Sequence, residues 1–250
     1  MRALWIYLRA VMPAQLRRSP EETRSSFQRV IGRNHDSKEV EALEKIIAVR
    51  RRLQGSRQEV TLRDFGAGSG KSPQRTVGLI HRTSAVPHWW GVFLFRLVRE
   101  LKPGNVLELG ANLGVSGAYI RSALDLNGGW NRFTTIEGDP VLASIARETI
   151  GSVSIGRSEV VNGRFQDVLQ QVLKQNEGID LVFIDGHHEY EPTLDYFAQI
   201  EPYLSAKALV VFDDVYLWSR AVRKAWKEIV RTHPAAVSID LAKFGILFRH

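Results

Sequence analysis

Val106-Leu107-Glu108-Leu109-Gly110-Ala111-Asn112-Leu113-Gly114 opens as a run apolar enough for a buried strand and closes as a glycine turn. Further on, Phe133-Thr134-Thr135-Ile136 forms a second apolar run that ends on Glu137. With a helix between them, the two make a strand, turn, helix and strand that finish in a carboxylate. A unit of this kind points backbone N–H groups at an anion and holds an acidic side chain over a ribose. The combination points to an adenosine-bearing cofactor. The plainer alternative is a glycine turn that only lets a helix pack on a sheet; Glu137 at the end of the next strand weighs against it.

The glycine spacing narrows the ligand. A dinucleotide fingerprint needs G-x-G-x-x-G, because its second glycine lets the backbone approach a pyrophosphate. Asn112 holds that position here, where its side chain would fill the space, and the glycines fall at Gly110, Gly114 and Gly117. That disfavours a pyrophosphate and suits a smaller zwitterionic group such as a methionine tail.

From Asn105 onward strand and helix alternate. Strands are predicted at 105–109, 132–137, 157–161, 180–185 and 207–212, and helices at 115–125, 140–149, 164–176, 191–201 and 217–232. Two last strands, at 236–240 and 243–249, are separated by a short turn near Leu241-Ala242. Such alternation gives a mostly parallel sheet covered by helices on both faces. The short final connection forces an antiparallel pair, since a parallel crossover needs about a dozen residues or more. The expected architecture is α/β and Rossmann-like: a seven-stranded, mostly parallel sheet with an antiparallel C-terminal strand, helices on both faces and a helical N-terminal extension.

The chain ahead of Asn105 reads differently. Residues 39–54 look helical, with Val40, Leu43, Ile47 and Leu53 on one stripe and Arg50, Arg51 and Arg52 near the end. Basic side chains there suit the helix macrodipole, and Gly55-Ser56 stops the helix. Residues 1–18 are amphipathic, with Leu4, Leu8 and Val11 on one side, Arg2, Arg9 and Arg17 elsewhere, and Pro13 to kink or end the helix. Asp64 to Ser72 imitates a Walker A loop, but only three residues separate Gly66 from Gly70, where about four are needed. It is read as a glycine-rich loop at a cleft entrance. Trp89 to Leu101 is a dense apolar helix ended by Pro103-Gly104, and Trp89 and Trp90 are read as core. The expected division is 1–88, a basic and mainly helical extension or cap, and 89–250, the cofactor-binding domain.

The 250 residues are 44% hydrophobic, enough for one sizeable core and an appendage. The absence of cysteine excludes a disulfide or thiolate metal site and is compatible with the cytoplasm. No apolar run approaches a membrane span. Arg9 interrupts Leu4-Trp5-Ile6-Tyr7-Leu8 and no small-residue cleavage site follows, which makes a poor signal peptide. The net charge of +7 lies wholly in residues 1–57, which hold 13 Lys/Arg against 6 Asp/Glu, while the rest holds 21 of each. Such an arm could meet an anionic membrane, nucleic acid or an acidic substrate, or pack on a second copy as a homo-oligomer contact. A solvated helical arm explains the charge equally well.

The region from about Asn105 to Arg249 resembles the class I S-adenosylmethionine-dependent methyltransferases, and within them the catechol O-methyltransferase-like group. Val106 to Ala111, with Gly114 and Ser116, is similar to the family's first motif. The resemblance implies that Gly110, Asn112, Gly114 and Ser116 hold the methionine carboxylate and Glu108 its ammonium side. Thr135-Ile136-Glu137 is similar to the second strand, with Glu137 on the ribose hydroxyls. Asn162-Gly163-Arg164-Phe165-Gln166-Asp167 resembles the adenine loop, implying contacts from Gly163, Phe165 and Gln166. Leu181 to Asp185 resembles the fourth strand, with Asp185 under the reacting centre, and Val210 to Asp214 the end of the fifth. In catechol-type enzymes two aspartates and an asparagine hold a metal; the matching positions here are Asp185, Asp213 and Asp214. The family's catalytic lysine falls where this chain has His188.

In open α/β sheets ligands bind at the carboxyl ends of the strands. Asp185, His187, His188, Asp213 and Asp214 are expected to converge there. Three neighbouring carboxylates repel, so a pKa must rise unless a cation is present, and Mg²⁺ or another divalent ion would relieve them. The plainer reading has Asp213 or Asp214 capping a turn and Asp185 only facing the sulfonium. A hydroxyl acceptor needs a base or a metal. Histidine is the side chain suited to moving protons near neutral pH, and His188 is the candidate base, with Asp185 beside it as the second catalytic residue. His187 is read as structural, while Tyr190 and Trp218 are either an aromatic wall over the acceptor or core. The expected activity is transfer of a methyl group from S-adenosyl-L-methionine to a hydroxyl of a small molecule. The rivals are an RNA or acidic-saccharide acceptor bound by the basic arm, and a non-catalytic cofactor-binding scaffold.

Overall fold

A computed structural model describes residues 16, 19–32, 34–62, 74–216, 220–234 and 236–249. The expected helix over 1–18 (apart from Leu16), the glycine-rich loop 64–72 and Trp218 lie outside the described residues.

Helix α1, Glu21–Gly32, and helix α2, Ser37–Gly55, come first. Asp36 starts α2 with a capping box: its carboxylate accepts from the Glu39 amide at 2.9 Å, and Glu39 reaches back to the Asp36 amide. Gly55 ends α2 as the glycine predicts, and the Ser56 amide donates back to Leu53. A short antiparallel hairpin follows, β1 (Glu59–Thr61) with β2 (Gln74–Thr76), then α3 (Val77–Ser84), which is capped by the Thr76 hydroxyl. Helix α1, the hairpin and α3 are not anticipated in the sequence pattern.

Helix α4, His88–Leu101, has Trp90 through Val98 buried without a break. Trp90 is core, as expected, whereas Trp89 is 43% exposed. A Cβ at Gly91 would strike the Tyr119 ring, so glycine is what lets α4 approach the helix that carries Tyr119. Lys102 closes α4 in the left-handed conformation ahead of Pro103.

The main sheet is built from β3 (Asn105–Leu109), β4 (Arg132–Glu137), β5 (Ser158–Asn162), β6 (Ile179–Ile184), β7 (Leu204–Phe212), β8 (Val237–Asp240) and β9 (Gly245–Phe248). Their order is β5-β4-β3-β6-β7-β9-β8. The pairs β4 with β5, β3 with β6 and β6 with β7 are parallel, while β9 runs antiparallel to both β7 and β8. The connecting helices are α5 (Val115–Asn127), α6 (Pro140–Gly151), α7 (Phe165–Lys174), α8 (Tyr190–Ile200) and α9 (Arg220–Thr232). The seven-stranded α/β sheet with an antiparallel C-terminal strand is the architecture that the alternation predicts. Strand β3 is buried from Val106 to Leu109, as a strand covered on both faces must be.

By their contacts the residues group into two compact units: 1–32, 103–109 and 170–250 form one, and 33–102 with 110–169 the other. Within the second, a buried ionic cluster fastens α2 to α4. Glu39, fully buried, accepts from the Arg99 guanidinium at 2.8 Å and lies 3.3 Å from His35. Among the described residues, no helix is long and apolar enough to cross a membrane.

Candidate active site

In the second unit the candidate site is the bend after β3. The Gly110 and Ala111 amides donate to the Ile136 carbonyl, at 3.0 and 3.1 Å, which lays the bend against the end of β4. Asn112 then takes the left-handed conformation (φ 48°), unusual for a residue with a side chain, and its amide donates to Glu137 Oε2 at 2.7 Å. The other Glu137 oxygen accepts from the Asp139 amide at 2.9 Å. Burial pushes the Glu137 carboxyl up from its ordinary value; the amides of Asp139, Asn112 and Gly138 pull it down, and the Asp139 charge adds to the rise.

Gly114 (φ 76°) is a glycine for packing: a Cβ there would lie 2.8 Å from the Ala146 backbone, where α5 meets α6. Ser116 is buried in the first turn of α5. The segment after β5 is tied to the same place, because the Asn162 side-chain amide donates to the Glu137 and Gly138 carbonyls and the Gly163 amide to the Glu137 carbonyl. Phe165 and Gln166 begin α7, the first half-buried and the second exposed.

An adenosine-bearing ligand with an amino-acid tail suits these residues. Both Glu137 oxygens accept backbone bonds and retain acceptor capacity for a ribose hydroxyl. The Asn112 Oδ1 is buried with no hydrogen-bond partner, a group that a ligand donor would satisfy.

In the first unit the carboxyl ends of β6 and β7 carry the acidic cluster. The Asp185 amide donates to the Leu109 carbonyl at 2.8 Å and the Asp213 amide to the Ile184 carbonyl at 2.9 Å, so the strand register sets both side chains. Asp185 and Asp213 follow the paired positions Ile184 and Phe212 on neighbouring strands, which sets the two carboxyl groups side by side. The Asp185 side chain keeps 17% exposure at its edge. Its carboxyl is nevertheless pushed up to about 7, by burial first, against the Asp213 hydrogen bond and the Lys243 charge, with Asp214 and Glu108 adding to the rise. Asp213 is raised too, by burial and then by Asp185. Glu108 is fully buried on β3.

The group absent from the sequence reading is Lys243. Its ammonium lies 2.8 and 2.9 Å from the two Asp213 oxygens and 2.6 Å from Asp214 Oδ1. Burial works against the charged ammonium, but Asp213 and Asp214 outweigh it and hold the lysine pKa above its ordinary value. Where the sequence reading expects Asp185, Asp213 and Asp214 to hold a divalent metal, the structure places the Lys243 ammonium against Asp213 and Asp214. Two of the three spend their oxygens on an internal cation, and among the described residues no group of His, Asp or Glu is arranged to hold a metal ion. The donor set as it stands does not fit a divalent ion.

His188 is exposed, with Nε2 3.6 Å from Asp185 Oδ1. His187 (φ 56°) bonds the buried Tyr196 hydroxyl through Nδ1 at 2.6 Å, a structural contact. Tyr190 donates to Glu228 on α9 at 2.8 Å, which commits its hydroxyl to a neighbouring helix.

Residues 107–215 match a family model described as a methyltransferase domain. A catechol O-methyltransferase of Niastella koreensis is 31% identical over 127 residues, 50% of this chain and 55% of that protein. A catechol O-methyltransferase of Bos taurus is 32% identical over 123 residues, 45% of this chain and 44% of that protein. The chain thus spans about half the length of these curated relatives. In fold it resembles an O-methyltransferase from Bacillus cereus solved in complex with SAH, with a TM-score of 0.59, 21% identity, and coverage of 87% of this chain and 92% of that one. The glycine bend, the carboxylate closing β4 and the reversed last strand thus lie in a chain whose residues 107–215 are similar to methyltransferase domains and whose fold is similar to that of an O-methyltransferase.

Proposed function

We propose that this chain is an enzyme that transfers a methyl group from S-adenosyl-L-methionine to a hydroxyl of a small molecule. The observation that carries the reading is the Glu137 carboxylate, closing β4 and bonded to the Asn112 amide of the glycine bend. When bound, the cofactor supplies a methyl group on a sulfonium; the acceptor oxygen forms the new C–O bond as the C–S bond breaks and sulfur leaves as a neutral thioether.

The chain's residues bind, align and take a proton. Glu137 accepts from the ribose hydroxyls. Gly110, Asn112, Gly114 and Ser116 form the bend for the amino-acid tail, with Glu108 on its ammonium side and Gly163, Phe165 and Gln166 along adenine. Holding the reactants in line removes most of the entropic barrier to such a displacement. His188 takes the proton leaving the acceptor hydroxyl, with Asp185 3.6 Å away to orient the ring.

Arg50 is committed to the Val86 carbonyl at 2.8 Å and Arg52 to Glu148 at 2.9 Å. That favours a small acceptor over an anionic polymer. Residues 1–88 serve in this reading as a cap or a homo-oligomer contact of a cytoplasmic enzyme.

The test is release of S-adenosylhomocysteine by the full chain against a panel of phenols, aliphatic alcohols, acidic saccharides and short RNAs. Turnover with a small hydroxyl compound supports the reading. Turnover only with RNA, lost steeply as salt rises, moves the acceptor to nucleic acid. Cofactor binding without turnover on any acceptor leaves a scaffold.

A further inference from the structure

We infer that Lys243 occupies the cation position of the carboxylate rim after β6 and β7, so that the chain balances this rim with its own ammonium and binds no divalent ion there. The inference concerns the same rim as the proposed reaction, but it is read out by metal binding and does not depend on methyl transfer.

The ammonium is held by two carboxylates. It donates to Asp213 Oδ2 at 2.9 Å and to Asp214 Oδ1 at 2.6 Å, and Asp213 Oδ1 lies 2.8 Å away as an ion-pair contact. A hard cation would have to sit roughly 2.0–2.6 Å from the same oxygens. The two positive charges would then compete for one place.

Lys243 is built into that place. It is 7% exposed, at the turn between β8 and β9. The Val215 amide donates to the Lys243 carbonyl at 3.0 Å, which clamps the turn to the segment after β7. Phe212 pairs with Gly245, so the register carries position 243 past the end of β7 beside Asp213 and Asp214. Ala242 takes the left-handed conformation (φ 67°), with its amide on Asp240 Oδ1 at 3.1 Å, and this fixes the direction in which the lysine leaves the turn.

Lys243 acts as a positioning residue. It holds Asp213, which neighbours Asp185 on the adjoining strand end, and Asp185 lies 3.6 Å from His188. The path runs wholly through side chains and needs no bound ion to set it.

The test is titration of the full-length protein with Mn²⁺, followed by electron paramagnetic resonance and calorimetry. The variants are Lys243→Met, Lys243→Arg and Asp213→Asn. The wild type and Lys243→Arg are expected to show no stoichiometric site. Lys243→Met, with its carboxylates freed, is expected to bind Mn²⁺ roughly tenfold or more tighter than the wild type. Stoichiometric binding by the wild type that Asp213→Asn removes would overturn the inference. So would a folded Lys243→Met protein, checked by circular dichroism, that gains no affinity. If Lys243→Met does not fold, the wild type and Asp213→Asn decide alone: a site lost on Asp213→Asn overturns the inference, and no site in either supports it. S-adenosylmethionine binding, measured in parallel, reports on the proposed reaction separately.

Discussion

The Lys243 ammonium and the Asp214 carboxylate stand 2.6 Å apart although 29 positions separate them in the chain. A buried charge is tolerable when paired and costly when its partner is removed. Lys243→Met should therefore lower the unfolding free energy by about 3–5 kcal/mol. Adding Asp213→Asn should restore part of the loss, because it removes one of the abandoned carboxylates. Urea denaturation of the single and double variants checks both statements, and a single variant as stable as the wild type contradicts the pairing.

Glu137→Ala should weaken S-adenosylmethionine binding by roughly tenfold or more, since it removes a charge-assisted acceptor. The same change frees the Asn112 and Asp139 amides, so Glu137→Gln is the sharper probe: it keeps an acceptor oxygen and loses the charge. Calorimetry should rank wild type above Gln and Gln above Ala. Equal affinities would remove Glu137 from the ribose site.

His188→Ala should slow methyl transfer by roughly a hundredfold or more while leaving cofactor affinity within a few-fold, as for a general base. Steady-state rates and calorimetry on the same preparation separate the two effects. Full activity in the variant eliminates this residue as the proton acceptor.

His81 offers a pH test of stability independent of the site. Its ring is buried, neither nitrogen has a hydrogen-bond partner, and burial, followed by the Arg50 and Arg82 charges, lowers its pKa to about 4. As pH falls through the ordinary histidine value, the unfolded chain takes up a proton that the folded chain refuses. Stability from this group is present above about pH 6.5 and is lost progressively towards pH 4. His81→Leu should flatten the difference in unfolding free energy across that window. An unchanged slope would mean that His81 protonates without unfolding.

Much of this arrangement is legible in the amino-acid order. The bounds of β3 and β4 follow from apolar runs that end on Gly110 and Glu137, and these strands are buried on both faces. The antiparallel end of the sheet follows from the short turn at Leu241-Ala242. Helix α1 is harder to read: Thr23, Phe27, Val30 and Ile31 are its buried positions, a stripe too brief among charged neighbours to stand out. Helix α3 is only 8 residues long and contains Gly78, which passes so close to the Gln54 and Ser56 carbonyls that a Cβ would lie 2.7 Å from each. The role of Lys243 is not legible locally, because pairing across the sheet sets it. Local pattern shows a lone lysine in an apolar segment, Leu241 to Phe248, and only the register of β9 on β7 tells what it meets.

The Glu137 carboxylate is bonded to peptide amides on both sides before any ligand arrives. Its side chain has little rotational freedom left to surrender, so a sugar hydroxyl that docks there meets an acceptor already aimed, and the affinity is not diminished by freezing a mobile arm. The same fastening transmits in reverse: a bound nucleoside that tightens on this group should also slow hydrogen exchange at the Asn112 and Asp139 amides, making occupancy visible in the backbone.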